Sequence, residues 1–138
     1  MIKRLAVTTL WVTDQNEALR FYVEKLGFEI RADVTVGDFR WISVGAPDQP
    51  ELEIGLTALK TGGGLSDADV AVLTPLVAAG QLGHCVWKTD DCHTAYATLT
   101  AKGVEFLQPP ADRPYGRIEA IFKDPSGNVM VLSQDKRS

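Results

Sequence analysis

Val12-Thr13-Asp14-Gln15-Asn16-Glu17-Ala18-Leu19-Arg20-Phe21-Tyr22-Val23-Glu24-Lys25-Leu26-Gly27-Phe28 is the stretch that decides the fold. Thr13-Asp14 supplies an N-cap, because a short acceptor side chain satisfies the first free N–H groups of a helix. Ala18, Phe21, Tyr22 and Leu26 then recur at helical spacing, Glu17 lies in the first turn, and Gly27 is the stop. Upstream, Leu5 to Val12 is rich in β-branched and aromatic types and reads as a strand. From Phe28 the period changes to two. Phe28, Ile30, Ala32, Val34 and Val36 alternate with Glu29, Arg31, Asp33 and Thr35, the pattern of a half-buried strand. Gly37-Asp38 makes a turn, Phe39 to Val44 is the hairpin partner, Ala46 to Pro50 is a loop, and Glu51 to Thr57 alternates again. The first half therefore reads β-α-β-β-β.

The second half reads the same way. Leu82 to Thr89 is a strand, Asp90-Asp91 caps a helix carrying Ala95, Tyr96 and Leu99 to Lys102-Gly103, and Val104 to Leu107 is a strand. Pro109-Pro110 and Asp112-Arg113-Pro114 form a rigid loop. Tyr115 to Lys123 is a strand, Asp124-Pro125-Ser126-Gly127-Asn128 a turn, and Val129 to Ser133 the last strand. Thr13-Asp14, Gly27 and Glu29 recur 76 positions later as Thr89-Asp90, Gly103 and Glu105, an internal repeat. Between the halves, Gly62-Gly63-Gly64 breaks the chain. Ser66-Asp67-Ala68-Asp69 resembles a capping box with Asp in place of Glu, so this segment is either a short helix around 67–72 or a mobile flap. The fold expected is α+β, one domain over residues 1–138. It comprises a βαβββ module at 1–59, a connector at 60–80 and a second βαβββ module at 81–138. Each module supplies a curved mixed sheet, and the two sheets enclose a cleft.

Composition narrows the functional classes. A chain of 138 residues, 45% hydrophobic and 23% charged, has the make-up of a soluble globular domain with a core of its own. The net charge of −4 argues against a nucleic-acid partner, whose phosphates require a basic surface. No apolar run is long enough to span a bilayer, and Met1-Ile2-Lys3-Arg4-Leu5 lacks the apolar region of a signal peptide, so the expected location is cytoplasmic, with no membrane partner. Cys85 and Cys92 lie on different elements without CxxC spacing and read as reduced structural thiols.

Val12-Thr13-Asp14, Ala18, Phe21-Tyr22 and Lys25-Leu26-Gly27-Phe28, with Thr89-Asp90-Asp91, Gly103-Val104-Glu105-Phe106, Tyr115-Gly116 and Asp124-Pro125-Ser126-Gly127-Asn128, carry a resemblance over essentially the whole chain. The chain resembles the vicinal oxygen chelate proteins, which include glyoxalase I, bleomycin-resistance proteins and extradiol dioxygenases. In catalytic members of that family four donors, typically two histidines and two glutamates, hold a metal whose open positions polarise substrate oxygens. Carried over one position at a time, the resemblance puts those donors at Val7, Glu53, His84 and Val131. Valine has no lone pair to give, and Glu53 with His84 alone would leave a divalent ion weakly held. The expectation is therefore no metal and no cofactor.

Strand alternation shows which side chains face the cleft. Val7, Thr9 and Trp11 group together, as do Glu53, Gly55 and Thr57, then Phe39, Trp41 and Ser43. In the second half, Arg117, Glu119 and Ile121 group with Val131 and Ser133, while Trp87 points to the core. The resemblance adds Tyr115-Gly116-Arg117 as a pocket rim. The candidate ligand-binding set is Val7, Thr9, Trp11, Phe39, Trp41, Tyr115, Arg117, Glu119 and Val131, and the candidate acid–base residues are His84 and Glu53. Aromatic walls with few polar groups suit an apolar or planar ligand.

Three readings stay open. The leading one is a metal-free small-molecule binding protein of the bleomycin-resistance type, which by resemblance is a homodimer. The second is a glyoxalase- or dioxygenase-like enzyme, a lyase or oxidoreductase, using a weak divalent site or His84 and Glu53 as acid and base. The third is a regulatory or structural dimer whose pocket is filled by Trp11 and Trp41.

Overall fold

A computed structural model describes residues 1–136. In chain order its elements are β1 (Val7–Val12), α1 (Gln15–Arg20) continued by a π-helical turn (Phe21–Lys25), β2 (Glu29–Val36), β3 (Phe39–Gly45) and β4 (Glu53–Ala58). These are followed by α2 (Asp67–Ala78), β5 (His84–Lys88), α3 (Cys92–Ala101), β6 (Phe106–Arg113), β7 (Arg117–Lys123) and β8 (Val129–Asp135). The chain divides into two compact units, Met1–Val77 and a second beginning at Ala78. Each contains one four-stranded mixed sheet, with strand orders β1-β4-β3-β2 and β5-β8-β7-β6. The α+β class and its two βαβββ modules are thus present. Among the described residues no helix is long and apolar enough to cross a membrane.

In the first unit the sheet has a helix side and an open side. β1 runs parallel to β4 with Val7 opposite Glu53, Thr9 opposite Gly55 and Trp11 opposite Thr57, and Ser43 of β3 lies opposite Gly55. Directly opposed residues share a face. Val12, Ile42, Val44, Ile54 and Leu56 therefore form the other face, where they are buried with Ala18, Phe21 and Tyr22 of the helical segment. The Gln15 side chain anchors α1 there by donating to the carbonyls of Arg40 and Leu56 (3.0 and 2.9 Å). Asp14 caps the helix by accepting from the Glu17 N–H at 3.0 Å.

The second unit repeats this arrangement. Ala120, Phe122, Met130 and Leu132 are buried, and Tyr96 of α3 meets Phe106 edge-on at 4.6 Å, which in turn contacts Phe122 at 5.4 Å. Trp87 belongs to this helix side, its indole N–H donating to the Met130 sulfur at 3.2 Å. The Asp124 carboxylate fixes the turn before β8 by accepting from the N–H groups of Ser126 and Asn128, each at 2.9 Å.

Several expectations are corrected. First, within the expected Asp90-Asp91 pair the capping residue is Asp91, accepting from the Thr94 N–H at 3.0 Å, so Asp90 is not the counterpart of the Asp14 cap. The helix starts are thus offset by 77 positions and not 76, while Gly27 and Gly103, both left-handed, keep the offset of 76. The π-helical turn in the first unit holds the extra residue. Second, β2 is not one alternating half-buried strand. The register slips between Ile30 and Ala32, so Ile30 opposes Val44 on the helix side while Ala32, Val34 and Val36 oppose Ser43, Trp41 and Phe39 on the open side. Arg31 sits in the bulge and donates to the carbonyls of Ala46 (2.8 Å) and Pro50 (2.9 Å), and this non-local demand breaks the period. Third, Pro109 and Pro110 lie within β6 and not in a loop. β6 is an edge strand, where missing N–H donors cost no ladder bond, and its register shifts between Gln108 and Ala111. Tyr115, expected on β7, lies in the turn before it. Fourth, α2 runs on to Ala78 with Pro75 inside it, well beyond 67–72.

Candidate functional site

The register places the first-unit candidates, Val7, Thr9, Trp11, Phe39, Trp41 and Glu53, together on the open side. Trp41 lies across Gly55: a methyl group there would stand 2.7 and 2.9 Å from two carbons of its six-membered ring. Glycine at 55 thus leaves the space that the indole fills. Glu53 is held by Ser43, whose buried hydroxyl donates to one carboxylate oxygen at 2.6 Å. A cleft of about 410 Å³ opens at the end of β1 and β4. It is lined by Trp11 and Phe39 with Thr57 and Ala58, by Asp38 and Arg40, and by Lys60, Thr61, Gly62, Gly63 and Leu65. The volume falls in the range that small-molecule ligands occupy.

Trp41, Val7, Thr9 and Glu53 lie on the same face but do not line this cleft. Lys60 and the glycine-rich segment, which the sequence places in a connector, do line it. The glycine triplet signalled a turn there. Nothing local tells which wall a turn will complete.

In the second unit, His84, Val86 and Lys88 of β5 share the open side with Val129, Val131 and Ser133 of β8 and with Arg117, Glu119 and Ile121 of β7. This face is charged where the first is apolar. The Tyr115 hydroxyl donates to Glu119 at 2.5 Å, and that bond to a carboxylate pushes the phenol above its ordinary range. Arg113 stands 3.8 Å from the same carboxylate and donates to the Gln108 side chain at 2.7 Å. Asp135 accepts from Lys88 at 2.6 Å and pairs with Arg117 at 3.3 Å, and the Lys88 bond holds its carboxyl below the usual carboxylate range. Ser133, directly opposite Glu119, keeps its buried hydroxyl without a hydrogen-bond partner among the described residues. His84 is exposed. Both cysteines are free, and burial pushes each thiol upward, away from nucleophilic use.

The donor positions do not fit a divalent metal. Val7 and His84, 77 positions apart like the caps Asp14 and Asp91, are equivalent corners of the two sheets. Opposite Val7 stands Glu53. Opposite His84 stands Val129, and Val131 faces Val86. Whichever of the two β8 positions is taken, the residue is valine. Among the described residues no three His, Cys, Asp or Glu side chains gather as a group that could hold a metal ion.

Comparison with known proteins agrees with this architecture. A sequence profile described as the Glyoxalase/Bleomycin resistance protein/Dioxygenase superfamily matches residues 4–132. YurT of Bacillus subtilis (strain 168) is 31% identical over 131 residues, spanning 95% of this chain and 98% of that protein. The crystal structure of UcmS2 superposes with a TM-score of 0.92 at 38% identity, covering 98% of this chain and all of that one (100%). TnmS3, an antibiotic binding protein from Streptomyces sp. CB03234, superposes with a TM-score of 0.72 at 28% identity, covering 98% of each chain.

Proposed function

Because the chain belongs to the glyoxalase/bleomycin resistance protein/dioxygenase superfamily, we propose that it is a metal-free binding protein of the bleomycin-resistance type. In this reading it captures a small aromatic or hydrophobic molecule, antibiotics among them, without turning it over. The observation that carries the reading is the first-unit cleft walled by Trp11 and Phe39, in a chain with valine at two of the four metal-donor positions. Stacking on such rings adds about 0.5–1.5 kcal/mol per aromatic pair beyond simple burial. The likeness to TnmS3, an antibiotic binding protein, supports the same ligand class. The apolar residues exposed along the open side of β2, Val34 and Val36, support a homodimer as the working form. We place its action in the cytoplasm.

The test is titration calorimetry against a panel of aromatic antibiotics and planar metabolites, with each ligand recovered and chromatographed afterwards. Saturable binding of an unchanged compound, weakened about tenfold or more by Trp11→Ala, is the expected result. A panel without a single binder refutes the proposal. Steady formation of a product also refutes it, and would turn attention to Glu53 and His84 as acid and base. Protein purified without chelator that carries stoichiometric metal refutes the metal-free part.

A further inference from the structure

We propose that Lys60 and the glycine hairpin Gly62–Leu65 select, for the first-unit cleft, aromatic ligands that carry an oxygen acceptor, above all an anionic one such as a carboxylate, phenolate or sulfonate. The inference rests on the reading of that cleft as the ligand site. The cleft has an apolar side, Trp11 and Phe39, and a polar side made by the chain between β4 and α2.

The polar side is fixed in place. Lys60 donates one ammonium hydrogen to the Asp38 carbonyl at 2.7 Å, tying the start of the segment to the β2–β3 turn. At the other end the Thr61 hydroxyl donates to the Asp67 carboxylate. Ser66 and Asp69 form a reciprocal capping box (3.1 and 2.9 Å), which seats the segment on the first turn of α2. Between these ties Gly62 and Leu65 exchange both backbone hydrogen bonds, each at 2.9 Å. Gly63 and Gly64 form the tip with φ of 56° and 97°, a left-handed conformation that side chains rarely adopt. A Cβ on either would meet nothing within 4 Å, so backbone conformation and not crowding keeps glycine there.

The donors left over are what a ligand oxygen needs. Of the lining groups, the Gly63 N–H has no acceptor among the described residues, and two of the three Lys60 ammonium hydrogens remain. Arg40, the other cation on the cleft, is already engaged, with two bonds to Asp33 (3.0 and 2.9 Å) and one to Asn16 (2.6 Å). Asp38 carries the one opposing charge among the lining side chains. Donors held before the ligand arrives bind it at a lower ordering cost.

Two probes that share an arylaminonaphthalene body separate the possibilities: anionic 8-anilino-1-naphthalenesulfonate and neutral N-phenyl-1-naphthylamine. Each is titrated into the full chain and read by dye emission and by energy transfer from tryptophan. Lys60→Gln is expected to weaken the sulfonate dye about tenfold to a hundredfold and leave the neutral dye unchanged, the loss typical of one charge-assisted hydrogen bond. Asp38→Asn is expected to strengthen the sulfonate dye about twofold, an exposed-charge effect that added salt erases. Equal changes for both dyes, or none for either, overturn the inference while leaving the cleft as a binding site. Absence of binding by both dyes, or binding indifferent to Trp11→Leu, overturns the cleft reading and this inference with it.

Discussion

Placing a methyl group at residue 55 tests whether the Trp41 indole is set by the bare backbone beneath it. In Gly55→Ala the new Cβ would lie 2.7 Å from one ring carbon and 2.9 Å from a second, against a best carbon–carbon separation of about 3.5–4.0 Å. The ring must retreat by roughly 1 Å, and overpacking of that kind costs about 1–3 kcal/mol. Two effects oppose it. Alanine restricts the unfolded chain, which alone stabilises a strand by about 0.5–1 kcal/mol. Trp41 is also only half-buried, so it has room to move outward. The net expectation is a loss of about 1 kcal/mol with a change in tryptophan emission as Trp41 leaves its seat. The decisive experiment is a double-mutant cycle by urea denaturation. In a Trp41→Leu background the same Gly55→Ala change should become neutral or stabilising, giving a coupling of about 1–2 kcal/mol. If Gly55→Ala costs the same in both backgrounds, the indole is not what demands glycine, and the account of the open face is wrong.

Two further outcomes are expected. Arg31→Met should release the carbonyls of Ala46 and Pro50, speeding amide exchange across residues 46–50 and lowering stability by about 2 kcal/mol, the scale of hydrogen bonds to a charged donor; unchanged exchange there would sink the assigned role. For pH, the Thr94 backbone N–H bonded to Asp91, the Ser66 N–H bonded to Asp69 and the Arg40 guanidinium bonded to Asp33 all hold their carboxyls below the ordinary aspartate value of 3.8. A depressed folded-state value means that the stabilisation is full above 3.8 and is lost as the pH falls through the lower folded values. The urea midpoint should therefore drop on acidification below that point, and Asp91→Ala should lower the neutral-pH midpoint while shrinking the acid-dependent fall. An acid fall as large in the variant as in the parent would remove Asp91 from the account.

Period-two alternation was enough to place Thr9, Trp11, Trp41, Glu53 and Val131 on the open faces, because β1, β3, β4 and β8 carry no bulge at those positions. It failed at Ile30, where the strand must make room for Arg31 and the loop carbonyls that this residue serves. Gly45 is part of that accommodation, since a Cβ there would stand 2.8 Å from the Arg31 guanidinium. Prolines at 109 and 110 read as loop because a central strand forbids them, but whether a strand lies at an edge is settled only by the order of the sheet. The helix caps were legible to within one residue. At the site, aromatic type and strand parity pointed to Trp11 and Phe39, whereas Lys60 and the glycine hairpin join them only through ties to Asp38 and Asp67. Such ties link residues whose partners no local pattern names.

The π-helical turn at Phe21–Lys25 bears on how the two halves have drifted apart. From cap to left-handed glycine the first half is one residue longer than the second. Had that residue entered a strand, every side chain beyond it would have changed faces, turning core outward and cleft inward. In a helix it widens one turn, and the strands on either side keep their facing. The helical segment is thus where this architecture tolerates a change of length, so a chimera that exchanges it between halves must also exchange that one residue.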